Sequence, residues 1–341
     1  MIRPVDCDVH HAVPDLSALF PFLADRWVDY CVESGVDGFD PAFYPVGIPL
    51  SARPEARGGS GPPGSDPDTV RAHVLDGPGA GHAILNCLYA VQALHNADWS
   101  TALAGALNDW QAACWLAADR RFRASVVVSP HDPHAAADEV ERCAATSGFV
   151  QVLLLGSSQA PLGQRLHWPI YAAAEAAGLP VAIHPGVAGA NPLSPVGWSS
   201  HYVEDYAGAA LTLQSQLTSV VCEGVLAAHP GLRVVLLESG VTWLPSLIWR
   251  LDKNWKALRR GGAVGGPGAL ADHPGAWAAH RRPLRRPTGG HPGVDGAVPG
   301  PDGRRRDAPA RQRLPAMAPR RWTCRPVGAA VPRRAHAGAE R

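Results

Sequence analysis

Val5-Asp6-Cys7-Asp8-Val9-His10-His11, near the start of this 341-residue chain, sets the reading of the rest. It is the first of six short runs rich in apolar and β-branched residues; the others lie at 82–87, 124–129, 149–156, 179–185 and 233–239. Most show little polar alternation, as strands do when a parallel sheet buries both their faces. Helical stretches separate them at 16–33, 97–119, 132–146, 168–177, 206–228 and 241–259. In 97–119, Leu103, Leu107, Trp110, Cys114 and Ala117 fall on one apolar stripe. Asp132-Pro133 supplies a capped start, and Gly178 supplies a stop after 168–177. Six β-then-α units in series predict a parallel α/β fold, either a closed barrel or an open doubly wound sheet. The Gly/Pro-rich stretch 51–68 follows no strand directly, so it reads as a solvated loop and not as a phosphate-binding turn.

Asp8 and His10 sit two apart on the first predicted strand and so share a face, while His11 turns to the other face in a structural role. An adjacent carboxylate and imidazole suit a divalent metal built on oxygen and nitrogen ligands, and equally a hydrogen-bonded pair. His184 ends the run Val181-Ala182-Ile183-His184, where Pro185-Gly186 stops it. Parallel barrels place their functional groups at such strand ends, where separate strands converge on one mouth. Glu238 follows Val234-Val235-Leu236-Leu237, a position where a carboxylate is costly unless paired or functional. Its readings are a general base, a ligand, an orienter of a histidine, or a structural ion pair. His201, in Ser199-Ser200-His201-Tyr202, is a weaker candidate for lining a substrate pocket.

These pieces together resemble the amidohydrolase-related family, which includes aminocarboxymuconate semialdehyde decarboxylase and aromatic acid decarboxylases. The resemblance spans about residues 4–260. Val5 to His11 is similar to the family's first-strand metal motif, with Asp8 where many members carry His or Glu. Gly64-Ser65-Asp66-Pro67, Val74-Leu75-Asp76 and Ala83-Ile84-Leu85-Asn86 resemble the approach to the second strand and the strand itself. His184 matches a metal histidine after the fifth strand. The segment Leu237 to Pro245 resembles the one that carries the decarboxylases' catalytic histidine, and Glu238 stands there instead. The resemblance implies a (β/α)8 barrel of the TIM type, of which about six units are recognisable here. It also implies one divalent ion, zinc with manganese as the alternative, a small-molecule substrate, and a homodimer for an intact relative. Asp8, His10 and His184 are then the expected ligands and Glu238 the expected catalytic group. Hydrolysis by metal-activated water is the first expectation. Non-oxidative decarboxylation of an aromatic or unsaturated acid is the alternative, and an inactive remnant is the third reading.

Composition adds boundaries. A hydrophobic content of 46% with 18% charged residues describes a globular chain. No apolar run approaches the ~20 residues of a membrane helix. Seven scattered cysteines and the lack of a signal-like start predict reduced thiols in the cytoplasm. The net charge of +1 averages two unequal segments: residues 1–260 hold 16 Lys and Arg against 25 Asp and Glu, whereas 261–341 hold 15 Arg, no Lys and five acids. In that second segment Gly, Ala, Pro and Arg fill 57 of 81 positions, too few large apolar groups to offset chain entropy. The expected organisation is therefore a partial barrel over 1–260 and a segment without its own fold over 261–341. The resemblance calls for an eighth-strand aspartate; Asp295 and Asp302 lie in turn contexts and do not match it. A composition dominated by GC-coded residues suggests a reading-frame change near Arg260, against the rival of an Arg-rich nucleic-acid-binding tail. Translating the gene's other two frames beyond codon 260 tests this: two further strands and a strand-end Asp are expected, and their absence from both frames refutes it.

Overall fold

The computed structural model describes residues 3–36, 38, 62–185, 192, 194 and 196–258. The 261–341 segment, and with it the frame-change reading, lies outside the described residues, as does most of the 51–68 loop.

All six predicted strands form: β1 (Val5–His11), β2 (His82–Cys87), β3 (Phe122–Val127), β4 (Phe149–Leu155), β5 (Val181–His184) and β6 (Val234–Leu236). They pair in parallel in the order β1-β2-β3-β4-β5-β6. Eight α-helical segments accompany them: α1 (Asp25–Ser34), α2 (Pro67–Val70), α3 (Ala97–Trp110), α4 (Pro133–Ala144), α5 (Trp168–Ala176), α6 (Tyr202–Cys222), α7 (Val225–Ala228) and α8 (Leu244–Leu258). Six neighbouring strands laid flat would separate β1 from β6 by roughly 24 Å at ~4.8 Å per pair. Instead His10 Nε2 on β1 lies 3.6 Å from Glu238 Oε1 just past β6. The sheet is therefore curled, an incomplete barrel among the described residues, as the sequence led us to expect.

Helices cover the outer face. One apolar layer joins β1 and β2 to α3 through Leu85, Leu103, Leu107 and Trp110; a second joins β3, β4 and β5 to α4 and α5 through Val126, Val140, Leu154, Ile170 and Ile183. The inside holds a smaller apolar group, Leu153, Ala182 and Leu237. The predicted caps are present: Asp132 accepts from the amides of His134 and Ala135, and Gly178 adopts a φ of 70° after α5.

Three local expectations need correction. The stretch 16–33 is two elements, a 3-10 segment Leu16–Phe22 containing Pro21 and then α1, because proline withholds an amide from a continuous helix. The α3 stripe does not run on to Cys114 and Ala117. A π-helical turn, Gln111–Leu116, adds a residue to that turn, so Trp115 is buried instead and Ala117 is exposed. The described end of the 51–68 loop is not simply solvated: Ser65 is buried, and Gly64 packs on β1. Ala12 N donates to Gly64 O at 3.1 Å, and a Cβ on Gly64 (φ 79°) would meet His10 O at 2.7 Å. No helix among the described residues is long and apolar enough to cross a membrane. Among the described residues Cys7, Cys31, Cys87, Cys143 and Cys222 are free thiols, whereas Cys114 is disulfide-bonded, so the expectation that every thiol is reduced does not hold.

Just before α5, His167 is buried, and burial pushes its pKa down to about 4. An unfolded histidine titrates near ~6.5, so on acidification the unfolded chain takes up a proton that the fold refuses. Stability from this residue is complete above about pH 6.5 and declines as pH falls toward 4. Between those limits wild type should lose up to about 3 kcal/mol more than His167→Leu. Denaturant melts at stepped pH measure this; parallel curves for the two proteins would refute it.

Candidate metal centre

Asp8, His10, His184 and Glu238 each contribute one ligand-type atom to a group in which all four lie within 4.8 Å of one another. Three strands deliver them. β1 carries a register irregularity between Asp6 and Val9, of the kind that re-aims side chains near active sites. Beyond it Asp8 and His10 face the mouth, while Val9 and His11 turn into the outer core. His11 lies between the rings of Trp110 and Trp115, at 5.6 and 4.8 Å, and burial pushes its pKa down to about 3. It is a packing residue, as expected. His184 is the last residue of β5.

Glu238 stands two residues beyond β6 and adopts a φ of 49°, the only non-glycine positive φ among the described residues. The clash of its Cβ with the neighbouring carbonyl makes this backbone unfavourable, by about 1 kcal/mol or more. The turn aims the carboxylate at both imidazoles: Oε1 lies 3.6 Å from His10 Nε2, and Oε2 lies 3.4 Å from His184 Nε2. Asp8 Oδ1 approaches His10 Nε2 at 3.6 Å, and the two rings meet edge to face at 4.9 Å. His184 is almost wholly covered, at 4% exposed, whereas His10 and Glu238 remain open at 38% and 39%. Hydrogen bonding to His10 and then to His184 holds the Glu238 carboxyl well below the usual carboxylate range. Burial alone would lower the His10 pKa, but its bond to Glu238 and the charge of Asp8 outweigh it and leave it raised.

His201 is not brought into this group. It precedes α6, its side chain is 78% exposed, and Nδ1 meets Glu204 Oε1 at 2.8 Å. Tyr202 and Tyr206 lie one turn apart on α6, and the charge of Glu238 is the largest influence raising the Tyr206 pKa. A cavity of about 220 Å³ opens beside His10, between the end of β1, Pro62-Pro63 and the segment Cys87 to Tyr89.

Sequence reasoning missed the support beneath Asp8. Asn86 on β2 is fully buried, and its Nδ2 donates to Asp8 Oδ1 at 2.9 Å and to Cys7 O at 3.2 Å. The available signal was a polar side chain inside an otherwise apolar strand.

A curled parallel sheet whose strand ends gather two imidazoles and two carboxylates is the architecture of barrel enzymes that work with a divalent ion. The chain belongs to the amidohydrolase family, whose profile matches residues 5–286, past the composition change at 260. Family members are enzymes. Gamma-resorcylate decarboxylase from Rhodococcus jostii (strain RHA1) is 29% identical over 214 residues, which span 57% of this chain and 57% of that protein. The solved structure of 5-carboxyvanillate decarboxylase LigW from Sphingomonas paucimobilis aligns with a TM-score of 0.55 at 20% identity, covering 79% of this chain and 75% of that one. A 5-carboxyvanillate decarboxylase from Novosphingobium aromaticivorans, solved with manganese and a nitrobenzoic acid, aligns with a TM-score of 0.55 at 20% identity, covering 77% and 73%. These two structural likenesses speak for the fold.

Replacing Glu238 by Gln removes the charge that raises His10. In metal-free protein the His10 imidazole should then titrate at a lower pH than in wild type, read by NMR of the labelled ring. An unmoved titration would show that the carboxylate does not act on His10.

Proposed function

We propose that the barrel is that of a metal-dependent, non-oxidative carboxy-lyase acting on a small aromatic acid. The observation that carries this reading is the four-donor group at the strand ends, with a small, largely apolar cavity beside its His10. The sequence favoured hydrolysis first. Curated relatives named as decarboxylases support the alternative, although the match spans only 57% of the first of them.

The donor set suits a divalent ion. Four ligands with bonds of ~2.1 Å around a tetrahedral centre lie about 3.4 Å apart. His10 Nε2 lies 3.6 Å from Asp8 Oδ1 and 3.6 Å from Glu238 Oε1, close to that spacing, and one ligand atom from each of the four residues falls within 4.8 Å of the others. Asp8, His10 and His184 would hold the ion, and Glu238 would complete the set as a ligand in place of acting as a base. A carboxylate kept ionised by two imidazoles is a weak proton acceptor and a ready ligand. Mixed nitrogen and oxygen donors accept manganese as well as zinc, and the manganese in a structural neighbour makes it the first ion to test. When bound, the ion supplies positive charge to a substrate carboxylate and a neighbouring oxygen.

The remaining work falls to the protein. Val13, Pro62, Pro63 and Leu88 give the cavity apolar walls for a single ring. In the reaction the bond from ring carbon to carboxylate breaks, carbon dioxide leaves, and a proton takes its place on the ring, with no net oxidation.

With manganese added, the full chain should release carbon dioxide from 2,6-dihydroxybenzoate or 5-carboxyvanillate and leave an ester and amide panel intact. His184→Ala should lower that rate by at least 100-fold, because it removes a buried ligand. Hydrolysis of the panel without carbon dioxide release would replace this reading with the hydrolase one.

A further inference from the structure

Three buried polar side chains line the inside of the barrel at the level of the metal centre: Asn86 on β2, Ser125 on β3 and Gln151 on β4. They form one connected chain. Gln151 Nε2 donates to Ser125 Oγ at 2.9 Å and to Asn86 Oδ1 at 3.1 Å. Ser125 Oγ donates to Asn86 Oδ1 at 2.6 Å. Two donors on Oδ1 fix which way the Asn86 amide faces, because its nitrogen cannot occupy that side. Nδ2 is therefore turned to β1, where it meets Asp8 Oδ1 at 2.9 Å.

Packing alone does not call for this arrangement. Each buried polar group is costly without a partner, and three apolar residues would fill a barrel layer with no such demand. The chain is fully connected, runs in one direction, and ends on one oxygen of a carboxylate at the mouth. Asp8 sits where β1 departs from regular register, so the ladder to β2 does not set its direction. His10 pairs with Asn86 across the same two strands, which places the ladder directly under the site.

We propose that Asn86, Ser125 and Gln151 are positioning residues that hold Asp8 through Oδ1 and so fix the orientation of its carboxylate at the metal. The proposal rests on the metal-centre reading above. Outer-shell partners of this kind change metal affinity by about 10- to 100-fold.

The test is manganese binding to the full chain, by calorimetry and by the EPR signal of the bound ion. Asn86→Leu should weaken binding at least 10-fold and alter the EPR line shape, and Ser125→Ala should do so by a smaller factor. Tyr171→Phe is the control. Its hydroxyl donates from α5 to Leu162 O within the outer apolar layer, so its loss should lower Tm and leave manganese affinity unchanged. Folded Asn86→Leu with wild-type affinity overturns the proposal. Should Asn86→Leu fail to fold, Ser125→Ala decides, and unchanged affinity and line shape there count against it. Wild-type protein that binds no manganese or zinc overturns the metal reading and this inference together. Binding that is normal in wild type and in Asn86→Leu removes this inference alone.

Discussion

The approach of β1 to the turn after β6 is the constraint on which the rest depends. A sheet hydrogen-bonded only between neighbours has no intrinsic reason to bring its first and sixth strands together, yet here their side chains stand 3.6 Å apart. Twist accumulated over five parallel pairings supplies the curl, and the outer helices hold it by burying the convex face. The donors belong to strands separated by more than two hundred residues in sequence, so the site exists only as a product of the whole sheet. Because the curl also turns the concave face away from water, polar groups on that face must satisfy one another. That requirement is what the connected side chains of β2, β3 and β4 meet.

The strands β2 to β5 were legible because both their faces are largely buried, so each reads as a compact apolar run. Helix existence was legible for the same physical reason, one apolar stripe per segment. Helix detail was not. The π turn after α3 moves burial from Cys114 to Trp115, a one-residue change that an even 3.6 periodicity cannot express. Pro21 was visible, but whether a proline kinks a helix or divides it depends on what packs around it. The short helix α2 went unread because its four residues are set by a cap on Asp66 and not by periodicity.

The principal side chains of the centre were legible as chemistry in unusual places: a carboxylate ending an apolar strand, a histidine at a strand terminus, a two-residue spacing on the first strand. The group they form in space follows from barrel geometry, which lends strand ends their meaning. His201 was legible only as a residue type; its position before α6 turns it to solvent and to Glu204. Asn86, Ser125 and Gln151 escaped notice because single polar residues in strands have many explanations, and only the lateral register shows that these three touch.

The backbone at Glu238 carries a consequence of a different kind. Glycine would occupy its left-handed conformation without strain, and with a gain in folding free energy of about 1 kcal/mol. Selection for a sturdier chain therefore pushes this codon toward glycine, and the carboxylate persists only while something rewards its presence. Foldability and chemistry pull this one position in opposite directions, which makes it a natural recorder of whether a lineage still uses the site. A descendant released from function would be expected to relax here early, before any change in its core.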